Sequence, residues 1–181
     1  MESNLERQPI FEIEPPKEGD EIALAPMHIQ AWKDAYVVPE SGLTEEMIDE
    51  MLGHMLIDNS FRKKTIIESL ENPDQVLYRV VKNSAGNTVG FLHGSKHEHF
   101  NELDAIYLLN EVKNSGVGGK LMEEFLTWSD KSKPCRLEVF AFNDAAIGFY
   151  NRYGFEKTKA VMDLYKGFLP VAEMMRSAEE V

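Results

Sequence analysis

From residue 20 the apolar positions recur at a helical interval. Leu24, His28, Ala31, Trp32, Ala35 and Tyr36 fall on one face, with Pro26 marking a kink or a late start and Asp20 standing where an N-cap belongs. Ahead of this helix, Phe11 to Glu14 reads as a short strand stopped by Pro15 and Pro16. Thr44, Glu45 and Glu46 combine a capping residue with acids suited to a helix start, and Met47, Ile48, Met51, Leu52 and Met55 follow at helical spacing. A third helical piece spans roughly Phe61 to Leu70 and ends near Asn72 and Pro73. The period then changes. VLYRVVK, NSAGN and TVGFLHGSK read as strand, turn and strand, NELDAIYLL as a third strand, and Val117 to Trp128 as a helix. CRLEVFAF is a further strand. Asn143 or Asp144 caps the helical stretch AAIGFYNRY, which Gly154 stops, and FEKTKA and PVAEMMR predict two closing strands joined by VMDLYKGF.

The 181 residues carry no internal repeat, low-complexity tract or linker, so one domain over 1–181 is expected. With 43% hydrophobic and 28% charged residues, and no apolar run near the length of a bilayer span, the composition is that of a soluble chain that avoids membranes. The start, MESNLERQPIFEIEPP, lacks the basic and apolar blocks of a secretory signal, and Cys135 stands alone. Both features predict a cytoplasmic location. A net charge of -12 argues against a nucleic-acid partner, because phosphate contacts need a basic footprint.

The segment NEVKNSGVGGKLMEEF, residues 110 to 125, puts three glycines and two lysines between a strand and a helix. Successive backbone amides at a helix N-terminus form a concave anion site, and glycines let a phosphate approach closely. Lys113 and Lys120 add positive charge. The spacing fits neither common phosphate motif. A dinucleotide fingerprint beginning at Gly116 and Gly118 would need Gly or Ala where Leu121 stands, and a Walker loop would need Gly at Asn114 and Ser or Thr at Leu121.

The segment from Lys113 through Asn114, Ser115, Gly116 and Val117 to Gly118 resembles the Q/R-x-x-G-x-G/A signature of the GNAT superfamily of N-acetyltransferases, with Lys113 in place of Gln or Arg. NDAAIGFYNRYGF independently resembles that family's second block at Asn143, Ala146, Phe149, Tyr150, Gly154 and Phe155. IYLLNEV and MHIQAWKDAY are similar to its fourth strand and first helix. The resemblance implies an α/β fold, a mixed and mostly antiparallel central sheet of about seven strands flanked by helices. It implies acetyl-CoA as acetyl donor, with the pyrophosphate on Lys113, Asn114, Ser115, Gly116, Val117, Gly118 and Gly119. The pantetheine arm would then lie along Leu108 and Leu109, facing Asn143 and Ala146. No metal is implied.

The implied reaction is direct attack of a primary amine, from a small molecule or a protein, on a thioester. A catalytically silent acyl-CoA-binding or sensor module is the alternative, and a homodimer is compatible with either. An amine of pKa near 10.4 must lose a proton and a departing thiolate must gain one. By resemblance Tyr150 is the acid and Glu138 the base, with Glu102, Asp104 or water as rivals for the second role. Backbone amides near Leu108 and Leu109 are candidates for stabilising the oxyanion. His93, His97 and His99 cluster without a cysteine and read as an exposed loop rather than a metal site. Trp32, Tyr36, Tyr78 and Phe91 belong to the parts that, by resemblance, surround the acceptor.

Overall fold

A computed structural model describes residues 10–158 and 164–179. Its order is β1 (Phe11–Glu14), α1 (Asp20–Tyr36), α2 (Glu45–Leu52), α3 (Ser60–Glu71), β2 (Val76–Asn83), β3 (Thr88–Lys96), β4 (Asn101–Leu108), α4 (Val117–Trp128), β5 (Cys135–Phe140), α5 (Asp144–Asn151), β6 (Glu156–Lys157) and β7 (Val171–Arg176). Short 3-10 turns follow α2 at Gly53–Leu56 and β4 at Asn110–Val112.

The seven strands form one sheet in the order β1-β2-β3-β4-β5-β7-β6. Every neighbouring pair is antiparallel except β4 with β5, which is parallel. Helices cover both faces. Alternation along β2 and β3 sends Leu77, Val81 and Leu92 under α4, with Leu121, Met122 and Phe125, and Val89, the extra residue at a register shift against β2, joins them. Tyr78, Val80 and Phe91 point the other way, toward Leu24, Met27 and Ala31 of α1 and Ile66 of α3. Burial on both faces explains why VLYRVVK is almost continuously apolar.

Several boundaries differ from the sequence reading. The N-cap of α1 is Gly19, at φ 99, and Asp20 is the first helical residue; its carboxylate accepts from the Lys17 amide at 2.8 Å and pairs with Lys82 at 3.2 Å. The helix runs through Pro26, which lies within its solvent-facing side. Thr44 caps α2 by accepting from the Met47 amide, and Asn143 caps α5 by accepting from the Ala146 amide at 3.1 Å. The last helix stops at Asn151, and the chain reaches Gly154, at φ 80, through a turn. The end of the expected strand FEKTKA and the start of VMDLYKGF lie outside the described residues.

Candidate functional site

The centre of the sheet is forced open by one residue. His93 pairs with Ala105 and Gly94 with Leu103, so Asp104 is an extra residue in β4, a β-bulge. The bulge reverses the alternation of β4. Leu103 faces the α4 side, whereas beyond the bulge Ala105 and Tyr107 face α1 and Ile106 and Leu108 take the α4 side. It also bends the strand away from β5. Pairing between β4 and β5 covers only Asn101, Glu102 and Leu103, and past Leu103 the β4 edge turned toward β5 runs unpaired.

The gap is a cleft of about 810 Å³, lined along one wall by Asp104 to Leu108 and along the other by Glu138 to Phe140, Asn143 and Tyr150. At one end lies the glycine turn. Gly116 is the N-cap of α4 with φ 85, in the left-handed region that disfavours any Cβ, and Asn114 shares that region at φ 65. Ser115 Oγ bonds the Val112 carbonyl and accepts from the Val117 amide, which fixes the turn. The next amides, of Gly118 and Gly119, belong to the first helical turn and have no intrahelical acceptor. A Cβ on Gly118 would meet nothing nearer than 3.5 Å, so internal packing does not require glycine there, whereas an anion approaching the amides would. Lys113 is exposed beside the turn. Arg152, whose guanidinium lies 5.4 Å from the centre of the Phe149 ring and which lines the same cleft, adds a second cation.

Of the residues expected at the cofactor, Leu108, Lys113, Asn114, Gly116, Gly118, Gly119, Asn143 and Ala146 line this cleft, while Ser115 and Val117 shape the turn behind it. Leu109 does not. Its amide donates to the Val89 carbonyl at 2.9 Å, so it is not available to an oxyanion or to a pantetheine arm. A strand-to-strand bond closes that position, and local sequence carries no trace of it.

Three phenols meet beside Asn143. The Tyr36 and Tyr107 oxygens are 3.5 Å apart, and burial raises the pKa of both, that of Tyr107 far above its usual value. Tyr150 is also pushed up, chiefly by burial and then by neighbouring Tyr36, and therefore holds its proton throughout the neutral range. Its ring packs on Phe149 and Phe155, and its hydroxyl makes no hydrogen bond to a described residue.

The three candidate bases share the sheet face at the mouth of the gap. Glu138 is exposed between buried Leu137 and Val139, as alternation requires, and accepts from Arg136 at 2.7 Å. Arg136 also reaches Glu173 at 2.8 Å and Glu102 at 3.5 Å. Burial, then the Asp104 carboxylate, raises the pKa of Glu102; burial raises that of Asp104, against a 2.8 Å hydrogen bond from Ser95. His93 is not in an exposed loop. It lies half-buried on β3, 3.7 Å from Asp104, and burial with the Arg62 charge holds its pKa down to about 4. Among the described residues no group of His, Cys, Asp and Glu is arranged to hold a metal, and no helix is long and apolar enough to cross a membrane.

A sheet split along a parallel pair, with a helix N-terminus at one end, places an unpaired strand edge and free amides on one cleft, groups chemically suited to an extended, phosphate-bearing ligand. The acetyltransferase (GNAT) family model matches residues 30–155, more than two thirds of the chain, and the chain belongs to that family. It is an acetyl-CoA-dependent N-acetyltransferase. The fold is similar to that of the PaiA N-acetyltransferase from Thermoplasma acidophilum in complex with coenzyme A, at TM-score 0.73 and 21% identity, covering 93% of this chain and 99% of that one. It is also similar to the ribosomal-protein-S18-alanine N-acetyltransferase from Escherichia coli, at TM-score 0.56 and 18% identity, covering 95% and 96%. A nourseothricin acetyltransferase matches at TM-score 0.52 and 24% identity over 60% of this chain and 68% of its own. Comparison with curated proteins finds no match.

Proposed function

We propose that the 181 residues form one catalytic domain that transfers an acetyl group directly to a primary amine, of a small molecule or a protein, within the cleft between β4 and β5. The observation that carries this reading is the convergence of a protonated phenol, Tyr150, with solvent-accessible carboxylates at opposite sides of one gap. Acetyl-CoA supplies the activated acetyl thioester. The amides of Gly118 and Gly119, with Lys113 and Arg152, hold its pyrophosphate, and the unpaired edge of β4 from Ile106 to Leu108 orients its arm.

Tyr150 delivers a proton to the departing thiolate, since a phenol that cannot ionise near neutrality acts as a donor. Glu138 takes the proton from the attacking amine, directly or through water, and Arg136 fixes its carboxylate. Asp104 is a second reading for this role, favoured by its place at the bulge and by a pKa that burial raises toward the working range. The carboxylates of Glu102, Asp104, Glu138 and Glu173 outnumber the single guanidinium of Arg136 at this mouth, which favours a cationic ammonium before deprotonation.

A panel of amines incubated with acetyl-CoA tests the reading. Thiol release that matches acetylated product supports it; coenzyme binding with no turnover on any amine indicates the silent binding module instead.

A further inference from the structure

Arg62, on α3, is a half-buried cation without a counter-ion. Its Nη1 donates to the Tyr78 hydroxyl at 3.0 Å, and its Nη2 lies 2.9 Å from His28 Nδ1 and 3.7 Å from the Met55 sulfur. The guanidinium lies 5.1 Å from the centre of the Phe91 ring. Among the described residues no carboxylate stands at ion-pair distance, in a chain with 31 acidic residues and a net charge of -12. Solvation by a histidine, a phenol and a thioether is poor compensation for a charge partly removed from water.

The surrounding hydrogen bonds are short of acceptors as well. His28 faces Arg62 at one ring nitrogen and the Trp32 indole N–H at the other, 3.0 Å away. Both neighbours can only donate, and a neutral imidazole accepts at one nitrogen alone. Protonation would worsen the conflict, and burial with the Arg62 charge keeps the ring neutral by lowering its pKa to about 3. Turning the indole toward the Tyr107 hydroxyl still leaves the His28 N–H without an acceptor. The Tyr78 O–H and the remaining guanidinium N–H groups likewise find none among the described residues. The cluster offers several donors, and one oxyanion would satisfy them together.

It adjoins the cleft. The His28 ring packs 4.4 Å from that of Tyr107, which with Trp32 lines the cleft wall. On the other side the Tyr78 ring lies tilted against that of His93, centroids 5.6 Å apart, and His93 Nδ1 lies 3.7 Å from Asp104 at the mouth. We infer that Arg62, with His28 and Tyr78, binds a carboxylate or phosphate carried by the amine acceptor, so that the acceptor is zwitterionic: its nitrogen at the carboxylates of the gap, its anion at α3. This rests on the amine-transfer reading above, but the anion site is testable without turnover.

Matched acceptors separate the two claims. Acetyl transfer is compared for 4-aminobutyrate against butylamine and for O-phosphoethanolamine against ethanolamine, in the unaltered protein, Arg62→Met and Arg62→Lys. The expected result is about tenfold or more in kcat/KM for the anionic member of a pair, the worth of one charge-assisted hydrogen bond. Arg62→Met removes that advantage and leaves the neutral amine and the KM for acetyl-CoA unchanged, while Arg62→Lys keeps part of it. Equal rates within each pair, or equal losses on both members, overturn the inference. Titration with inorganic phosphate and with N-acetylglycine, followed by Trp32 fluorescence in a Trp128→Phe background, decides the matter if no amine is acetylated. A saturable response absent from Arg62→Met upholds the anion site and counts only against amine transfer; identical responses in both proteins overturn it.

Discussion

Replacing Tyr150 by Phe removes a single oxygen from the site. The ring keeps its neighbours Phe149 and Phe155, at centroid distances of 5.4 and 6.1 Å, and the hydroxyl gives up no hydrogen bond to a described residue. Stability should therefore change by no more than about 0.5 kcal/mol, a shift of about 2 °C or less in Tm for a chain of this size. Catalysis should respond very differently. If the hydroxyl protonates the thiolate, its loss removes one acid contribution, about 100-fold or more in turnover, equivalent to about 2.7 kcal/mol of barrier. Because the interaction develops as the carbon–sulfur bond breaks, the loss should fall on kcat and leave the KM for acetyl-CoA nearly unchanged. Steady-state thiol release on an acetylated amine, with a thermal melt of the same preparation, measures both quantities. Undiminished kcat in a folded Tyr150→Phe protein would refute the assignment and leave water as the acid; a lower Tm with a matching loss of coenzyme binding would show that the residue serves packing.

Three further expectations follow from named groups. Gly118→Asp has room for its Cβ yet puts bulk and negative charge at the first-turn amides, so calorimetry should show coenzyme affinity falling by at least about tenfold with the fold retained, and unchanged affinity would move the pyrophosphate elsewhere. Glu138→Gln should lower kcat/KM by about 100-fold and Asp104→Asn by far less, and the reverse ranking would make Asp104 the base. His28 and His93 have folded pKa values near 3 and 4 against an ordinary 6.5, so the unfolded chain takes up protons that the fold refuses. Their contribution to stability is present above pH 6.5 and lost as pH falls toward those values, at about 1.4 kcal/mol per pH unit for each proton; chemical unfolding from pH 7 to 4.5 should show this slope, and His28→Asn should reduce it.

The sequence made legible whatever depends on near neighbours. Val117 to Trp128 shows its helix through Val117, Leu121, Met122 and Phe125, and Asn143 shows its cap through the residues that follow. The glycine turn was readable because left-handed φ at Gly116 and open amides at Gly118 are local properties. The bulge at Asp104 was not, since NELDAIYLL alternates acceptably with or without an extra residue, and only the pairing with β3 reveals it. The same blindness explains Leu109, whose amide is consumed by Val89 in another strand. Arg62 gave no signal either: an isolated arginine on a helix looks like solvated surface until His28, Tyr78 and Phe91 are brought around it by α1 and the sheet.

The central claim is that the opened sheet holds the coenzyme with its sulfur beside Tyr150. The most direct measurement is a crystal structure of the protein with coenzyme A, read at two places. Pyrophosphate oxygens should lie within hydrogen-bond distance of the Gly118 and Gly119 amides, and the sulfur within about 4 Å of the Tyr150 hydroxyl. A coenzyme bound elsewhere, or one whose sulfur lies far from Tyr150, would contradict it.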